Sequence, residues 1–291
     1  MGYARRATEA IRAALRGYGG PDEAVEQATQ GALDLNDQAV QAGCTAASGQ
    51  MPVLVCHFGP SASQPVAQAI YWYERGGWQS QLYPQASIEA TAERKELLAE
   101  LGCRLGCYSS IARARQATTP EGDTELLVVA DLGFAGGQHA EEPHLLRFVN
   151  GQWQMVWAPG AGDWNYGHAQ VELTAKGIAQ FRVRSTSWLR TDSLTGYFAE
   201  AETGVHRRFT EHWMRKGKAY VLANRGEEPT PYGALVRLVH YLSTGGDEKA
   251  AGLLGPDLDL EDARKALAQK PRRQGWTVTR WGDHGFLVDR M

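Results

Sequence analysis

Residues 126–157 carry the clearest hydrophobic pattern in the chain. Leu126-Leu-Val-Val-Ala-Asp-Leu-Gly is a short apolar run. A loop follows, then Leu145-Leu-Arg-Phe-Val, then Asn150-Gly151, then Gln152-Trp-Gln-Met-Val-Trp157. Runs of this length, bounded by turn residues, predict strands. Asn150-Gly151 predicts a two-residue hairpin turn, because a type I′ turn needs positive φ at both central positions. The period of two places Trp153, Met155 and Trp157 on one strand face, expected to be core between neighbouring sheets.

The layout recurs. Val53-Leu-Val-Cys56 precedes Ile70-Tyr-Trp-Tyr-Glu-Arg-Gly-Gly-Trp-Gln79, and a third copy runs from Phe181-Arg-Val-Arg184 to Val205–Trp213 and Lys218–Leu222. Ile111–Ala117 is expected as the outer strand of the second copy. In 205–213, Val205, Phe209 and Trp213 share one face, and His206, Arg208, Thr210 and His212 the other, as in a sheet with one face in the core and one in water. The fold class expected is mainly β (α+β overall): repeated antiparallel, propeller-blade-like sheets, with N-terminal helices and a C-terminal α+β module.

Helical periodicity brackets the strands. Ala7, Ile11, Ala14, Leu15 and Tyr18 make a stripe that Gly19-Gly20 ends, and Pro21-Asp-Glu opens a second helix. Ile88, Ala92, Leu97, Leu98 and Leu101 predict a helical insertion over about 87–107. Residues 224–231 read as a linker. Leu235, Val236, Leu238, Val239 and Leu242 form another amphipathic helix, stopped at Thr244-Gly-Gly. Asp247 and Asp259 suit helix N-caps. Trp276–Trp281 and Phe286–Asp289 predict a closing hairpin. The segments are therefore 1–48, helical; 49–228, β-repeat; and 229–291, a small α+β module.

Composition narrows the classes. The 291 residues carry 30 basic and 33 acidic groups, a net charge of −3, which argues against nucleic-acid binding through a bulk basic field. No apolar run reaches the roughly 20 residues of a membrane span. Met1-Gly-Tyr-Ala-Arg-Arg6 lacks the apolar core of a signal peptide, which fits a cytosolic protein or a trimmed mature chain. Four cysteines, Cys44, Cys56, Cys103 and Cys107, read as small buried residues or as disulfides pairing 44 with 56 and 103 with 107. Their spacing disfavours zinc.

Pro231-Tyr-Gly-Ala-Leu-Val-Arg237, Tyr241-Leu-Ser-Thr-Gly245, Ala250, Leu253-Leu254 and Gly275-Trp276 resemble a recurrent C-terminal module of uncharacterised extracytoplasmic proteins and lipoproteins of Gram-positive bacteria. The helix–helix–hairpin order is similar to part of a cystatin-like or NTF2-like fold. The strand copies are similar in layout to FG-GAP or VCBS propeller blades, although the acidic calcium loop of those blades is missing and three copies fall short of the roughly four blades of a closed propeller. The resemblance implies envelope or cell-surface biology.

Several clusters carry candidate chemistry. Asp163, Trp164, Asn165, Tyr166 and His168 combine aromatic faces with hydrogen-bonding groups, the mixture that holds a sugar or small polar ligand. Arg182 and Arg184, with His206, Arg208 and His212, form a basic stripe for an anion or acidic polymer if their strand faces coincide. His139, Glu141 and His144, in a loop before a strand, offer metal-ligand types, which Pro143 spreads apart. Asp257–Asp262 lacks the glycine and glutamate of a calcium loop. Hydrolase, nucleotide and dinucleotide signatures are absent, and no motif requires a cofactor. The expectation is a non-enzymatic, envelope-associated protein binding another protein or a cell-surface glycan. A hydrolase built from carboxylates and histidines around 139–168 is the alternative. A structural role, with the N-terminal helices as a docking arm, is the third.

Overall fold

The structure is a computed structural model. It describes residues 2–35, 40–60, 67–84, 108–119, 121–133, 139–158, 166–174, 177–187, 197–199, 205–267, 276–281 and 285–290. The chain divides into two compact units. The first comprises Met1–Asp163, His168–Arg182 and His212–Ala223; the second comprises Trp164–Gly167, Val183–Glu211 and Asn224–Met291. The described residues are mainly β, with antiparallel sheets, and among them no closed barrel or propeller forms.

The first unit opens with helices α1 (Gly2–Arg16) and α2 (Pro21–Thr29). The first sheet is a meander of β1 (Gln41–Ala47), β2 (Val53–Gly59), β3 (Ala67–Glu74) and β4 (Gly77–Leu82). Both of its faces are covered, so β2 and β3 are buried almost throughout instead of alternating. Leu54, Cys56, Phe58, Ala69, Tyr71 and Trp78 meet Ala7, Ile11 and Leu15 of α1 and Ala24 and Ala28 of α2. The helices are thus the lid of this sheet. Tyr71 donates to the Thr8 carbonyl of α1, and burial pushes its phenol far above its ordinary pKa. Arg75 and Gly76, with φ of 53° and 79°, form a second I′-type turn. The hairpin fits the layout expected over Ile70–Gln79, while its turn pair carries no strong local signal, because arginine is an unusual residue in the left-handed region.

Cys44 and Cys56 stand directly opposite each other on β1 and β2 and are joined by a disulfide. Their Cα atoms are 4.1 Å apart, the short spacing of a cross-strand pair without mutual backbone bonds. Cys103, Cys107 and the helix expected over 87–107 lie outside the described residues.

The second sheet is a meander of β5 (Tyr108–Thr118), β6 (Thr124–Gly133), β7 (His139–Val149) and β8 (Gln152–Trp157). Asn150 and Gly151 adopt φ of 52° and 77°, as the hairpin requires. Val53, Val55, Ile70 and Trp72 of the first sheet share a core with Ile111, Leu126, Val128, Leu146 and Trp153 of the second. The Trp153, Met155 and Trp157 face does not stay on one side. A register shift between Leu145 and Leu146 inserts a bulge, and Trp157 pairs with Leu145 while Met155 pairs with Leu146. Trp153 and Met155 therefore join the core with the first sheet, whereas Trp157 turns to the other side and stacks edge-on to Phe181 and Trp213.

The third sheet has the order β13 (Ala219–Glu227), β12 (Arg208–Lys216), β10 (Gly177–Ser187), β9 (Tyr166–Thr174). Val205 and His206 precede β12, and Asn224–Glu227, read from composition as linker, extend β13.

The second unit holds α3 (Pro231–Thr244), α4 (Asp247–Ala251), α5 (Leu260–Leu267), and a sheet in which β11 (Phe198–Ala199) pairs parallel with β14 (Trp276–Trp281), which pairs antiparallel with β15 (Gly285–Arg290). Thr230 caps α3 by accepting from Gly233 N, and Gly245 ends it at φ 79°. Asp259 caps α5, accepting from Glu261 and Asp262. Phe198 packs with Tyr232, Val236 and Val239, so a strand from mid-chain completes the core under the C-terminal helices.

Candidate functional site

The third sheet presents the site through strand alternation. In β10, Phe181 is buried and Arg182 is exposed beside it. In β12, Trp213 contacts Trp157 on the inner side, while His212, Met214 and Lys216 take the outer parity. In β13, Tyr220 points in and Val221 is exposed. Within the first unit, the outer face thus gathers Arg182, His212, Met214, Lys216 and Val221. The turn beside it adds exposed Lys218, and Leu222 is exposed on the same strand as Val221. Arg182, Lys216 and Lys218 form no ion pair among the described residues. Cations interleaved with exposed apolar groups suit an acidic partner that also brings apolar contact.

A buried ionic cluster holds the turn that carries these lysines. Glu125 and Arg147 are directly opposite on β6 and β7 and are 0% and 4% exposed. Arg147 donates from Nε to Glu125 Oε1 at 2.8 Å, and its Nη2 is 2.6 Å from the same oxygen, an ion contact without hydrogen-bond alignment. Tyr220 donates to Glu125 Oε2, and burial, reinforced by that bond, pushes its phenol well above the ordinary range, so it stays a donor. Arg215 reaches Glu121 and Asp123, each at 2.6 Å. The same two arginines then grip the β12–β13 turn: Arg215 Nε donates to Gly217 O at 3.0 Å and Arg147 Nη1 to Lys218 O at 3.2 Å. Two carbonyls held by two guanidinium groups fix the main chain of the turn from which Lys216 and Lys218 project.

This cluster was not legible in the chain. Glu125 and Arg147 share strand faces with Leu127, Val129 and Leu145, and local pattern does not say that their charges meet each other and the β12–β13 turn. In the second unit a similar set went unread. Arg207 clamps Glu227 at 3.1 and 2.7 Å, Arg237 approaches the same carboxylate at 3.8 Å, and buried Glu211 lies 3.6 Å from Arg225. Phe209 lies under both Arg207 and Arg225.

The expected basic stripe is divided. Arg182 and His212 belong to the first unit; Arg184, His206 and Arg208 belong to the second. Arg184 lies 3.8 Å from Glu228. His206 precedes β12 and does not share its alternation.

His139, Glu141 and His144 are within strand β7, not in a loop before it. The side chains of His139 and Glu141 lie outside the described set. His144 is 1% exposed, and its Nδ1 is 3.1 Å from Tyr83 Oη. No group of three or more His, Cys, Asp or Glu able to hold a metal occurs among the described residues. Asp163, Trp164 and Asn165 are outside the described residues. Tyr166 and His168 begin β9, with side chains outside the described set.

A second polar feature crosses the core between the first two sheets. Gly43, His57 and Gln68 are register partners, and Tyr83 N donates to Gln68 O, extending the row. The His57 ring lies so close to Gly43 that a Cβ there would fall 2.6 Å from it. Burial lowers the His57 pKa from its ordinary 6.5. Trp72, Trp78, Trp153 and Trp157 are buried and Trp213 is half-buried, so these five offer no exposed stacking platform.

Neither protein-family models nor curated proteins match this chain. No helix among the described residues is long and apolar enough to cross a membrane.

Proposed function

We propose that this chain is a non-catalytic, extracytoplasmic interaction protein that docks an acidic partner on the outer face of its third sheet. The carrying observation is the contrast in charge use. Buried Glu125 and Arg147 and half-buried Arg215 are matched within the protein, whereas Arg182, Lys216 and Lys218 stand exposed without ion-pair partners among the described residues. Groups that neutralise each other inside a core serve structure; cations held ready on a rigid face serve a partner. The Cys44–Cys56 disulfide supports an oxidising compartment.

Retention on a poly-glutamate surface tests this. The protein is expected to be retained at low ionic strength and to elute as salt rises, because exposed charge contacts are screened. Charge reversal at Arg182, Lys216 and Lys218 together is expected to abolish retention. Equal retention of that variant would remove this face from the interaction.

A further inference from the structure

Resting on that reading, we propose that the open edge of β13 at Ala219–Ala223 accepts an extended strand of an acidic polypeptide, adding it to the third sheet. β13 is the terminal strand of that sheet, and no described strand pairs with its outer side. Such an edge carries unpaired main-chain donors and acceptors, which proteins ordinarily blunt with charge, proline, bulges or a cover.

This protein shows what blunting looks like elsewhere. β1 of the first sheet is met by β5: Gln116 N donates to Ser48 O at 2.8 Å, and Thr45 Oγ1 donates to Ile111 O at 2.9 Å. β8, at the end of the second sheet, is closed by a side chain acting as a strand. Gln81 donates from Nε2 to Trp153 O at 2.7 Å and accepts from Trp153 N at 2.9 Å. The Ala219-Tyr-Val-Leu-Ala223 segment has no charge, no proline and no such clamp. Tyr220 alone is buried; Val221 is 38% and Leu222 44% exposed, on opposite faces of the strand, with Met214 at 41% on the neighbouring strand. A partner can therefore reach the edge from both faces.

Two features select the occupant. Alternating outward main-chain groups are met in register by another polypeptide backbone and not by a polysaccharide. The Gly217–Lys218 turn, fixed by Arg147 and Arg215, places Lys216 and Lys218 at one end of the edge, so the added strand carries acids at that end and apolar side chains beside Val221 and Leu222.

The test uses a fluorescent nine-residue peptide of alternating Val and Thr with Glu at both ends, titrated into the full chain. Two comparators are the same peptide N-methylated at alternate amides and a version with Lys at both ends. The glutamate peptide is expected to bind and to slow amide hydrogen exchange across Ala219–Ala223. Losing even one or two main-chain bonds should weaken the N-methylated peptide by about tenfold. The Lys-ended peptide should bind at least as weakly. Leu222→Glu, at an exposed position that leaves the core intact, should weaken the glutamate peptide comparably. Equal binding of the N-methylated and parent peptides overturns strand addition while leaving the acidic-face reading in place. Retention on poly-glutamate without binding of the peptide does the same. Failure of both probes overturns both.

Discussion

The two layers that flank the second sheet are built differently, although both join four-stranded antiparallel sheets of similar layout. Toward the first sheet the contact is apolar, with Val53, Val55, Ile70 and Trp72 against Leu126, Val128, Leu146 and Trp153. Toward the third sheet Glu125, Arg147 and Tyr220 occupy the interior beside a ring cluster of Trp157, Phe181 and Trp213. An apolar layer gains from area and tolerates variation in detail. An ionic layer demands geometry, because each charge removed from water must find its partner. In this protein the ionic layer also fixes the turn bearing Lys216 and Lys218, so it couples stability to the surface proposed for binding.

The largest expected effect comes from breaking the ionic layer on one side. Glu125→Ala leaves buried Arg147 with only the longer, 3.7 Å contact to half-exposed Asp123, and urea denaturation should show a loss of about 3–5 kcal/mol. Poly-glutamate retention should weaken as the turn loosens. Replacing both partners, Glu125→Leu with Arg147→Met, should recover much of the stability but not the retention, separating the two roles of the cluster. A double variant as unstable as Glu125→Ala would show that shape, not charge pairing, dominates there.

The apolar layer should yield a comparable or smaller loss with no such coupling. Leu146→Ala, at a fully buried position, is expected to cost about 2–5 kcal/mol through lost transfer energy and a residual cavity. Under conditions where the variant remains folded, poly-glutamate retention should be unchanged. A parallel loss of retention would mean that the two layers are not independent.

The smallest effect concerns the polar row within the apolar layer. Burial holds His57 below its ordinary value of 6.5, so the unfolded chain takes up this proton at higher pH than the folded one. The unfolded state therefore binds more protons in that window, and stability rises with pH across it. The contribution is complete above the unfolded value and is lost as pH falls through the lower folded value. Stability measured from about pH 7 to about pH 5 should fall less steeply in His57→Gln than in the parent chain. Identical slopes would show that His57 is solvated enough to titrate normally.

Much of the β architecture was legible from local pattern. Asn150-Gly151 announces its hairpin because few residue pairs tolerate positive φ twice in succession. The stripe Ala7, Ile11 and Leu15 announces a helix with one buried side. The alternation in β10 and β12 places Arg182 and His212 on an outer face. The Trp157 inversion was not legible, because a bulge is one residue of register and leaves the composition of the strand unchanged. The hairpin within Ile70–Gln79 was legible as a second copy of the layout, but its turn residues, Arg75-Gly76, were not, because arginine at positive φ has no strong local signal. Glu125, Arg147, Arg207 and Glu211 share strand parity with apolar neighbours such as Leu127, Leu145, Phe209 and Trp213, but which charges pair inside depends on long-range partners that no local pattern names.

The sequence by itself determined most strands of the three repeated sheets, the helices before and after them and several caps and turns, since these depend on periodicity and on backbone preferences that act within a few residues. It did not mark β1, which forms in the segment expected to be helical, the start of β7 at His139, or β11. Tertiary structure alone decided that the N-terminal helices roof the first sheet, that Cys44 and Cys56 take the disulfide reading over that of separate buried residues, and that a buried ionic cluster grips the turn carrying Lys216 and Lys218. Those outcomes depend on which faces meet at long range, where burial changes the meaning of a charge from solvated to structural.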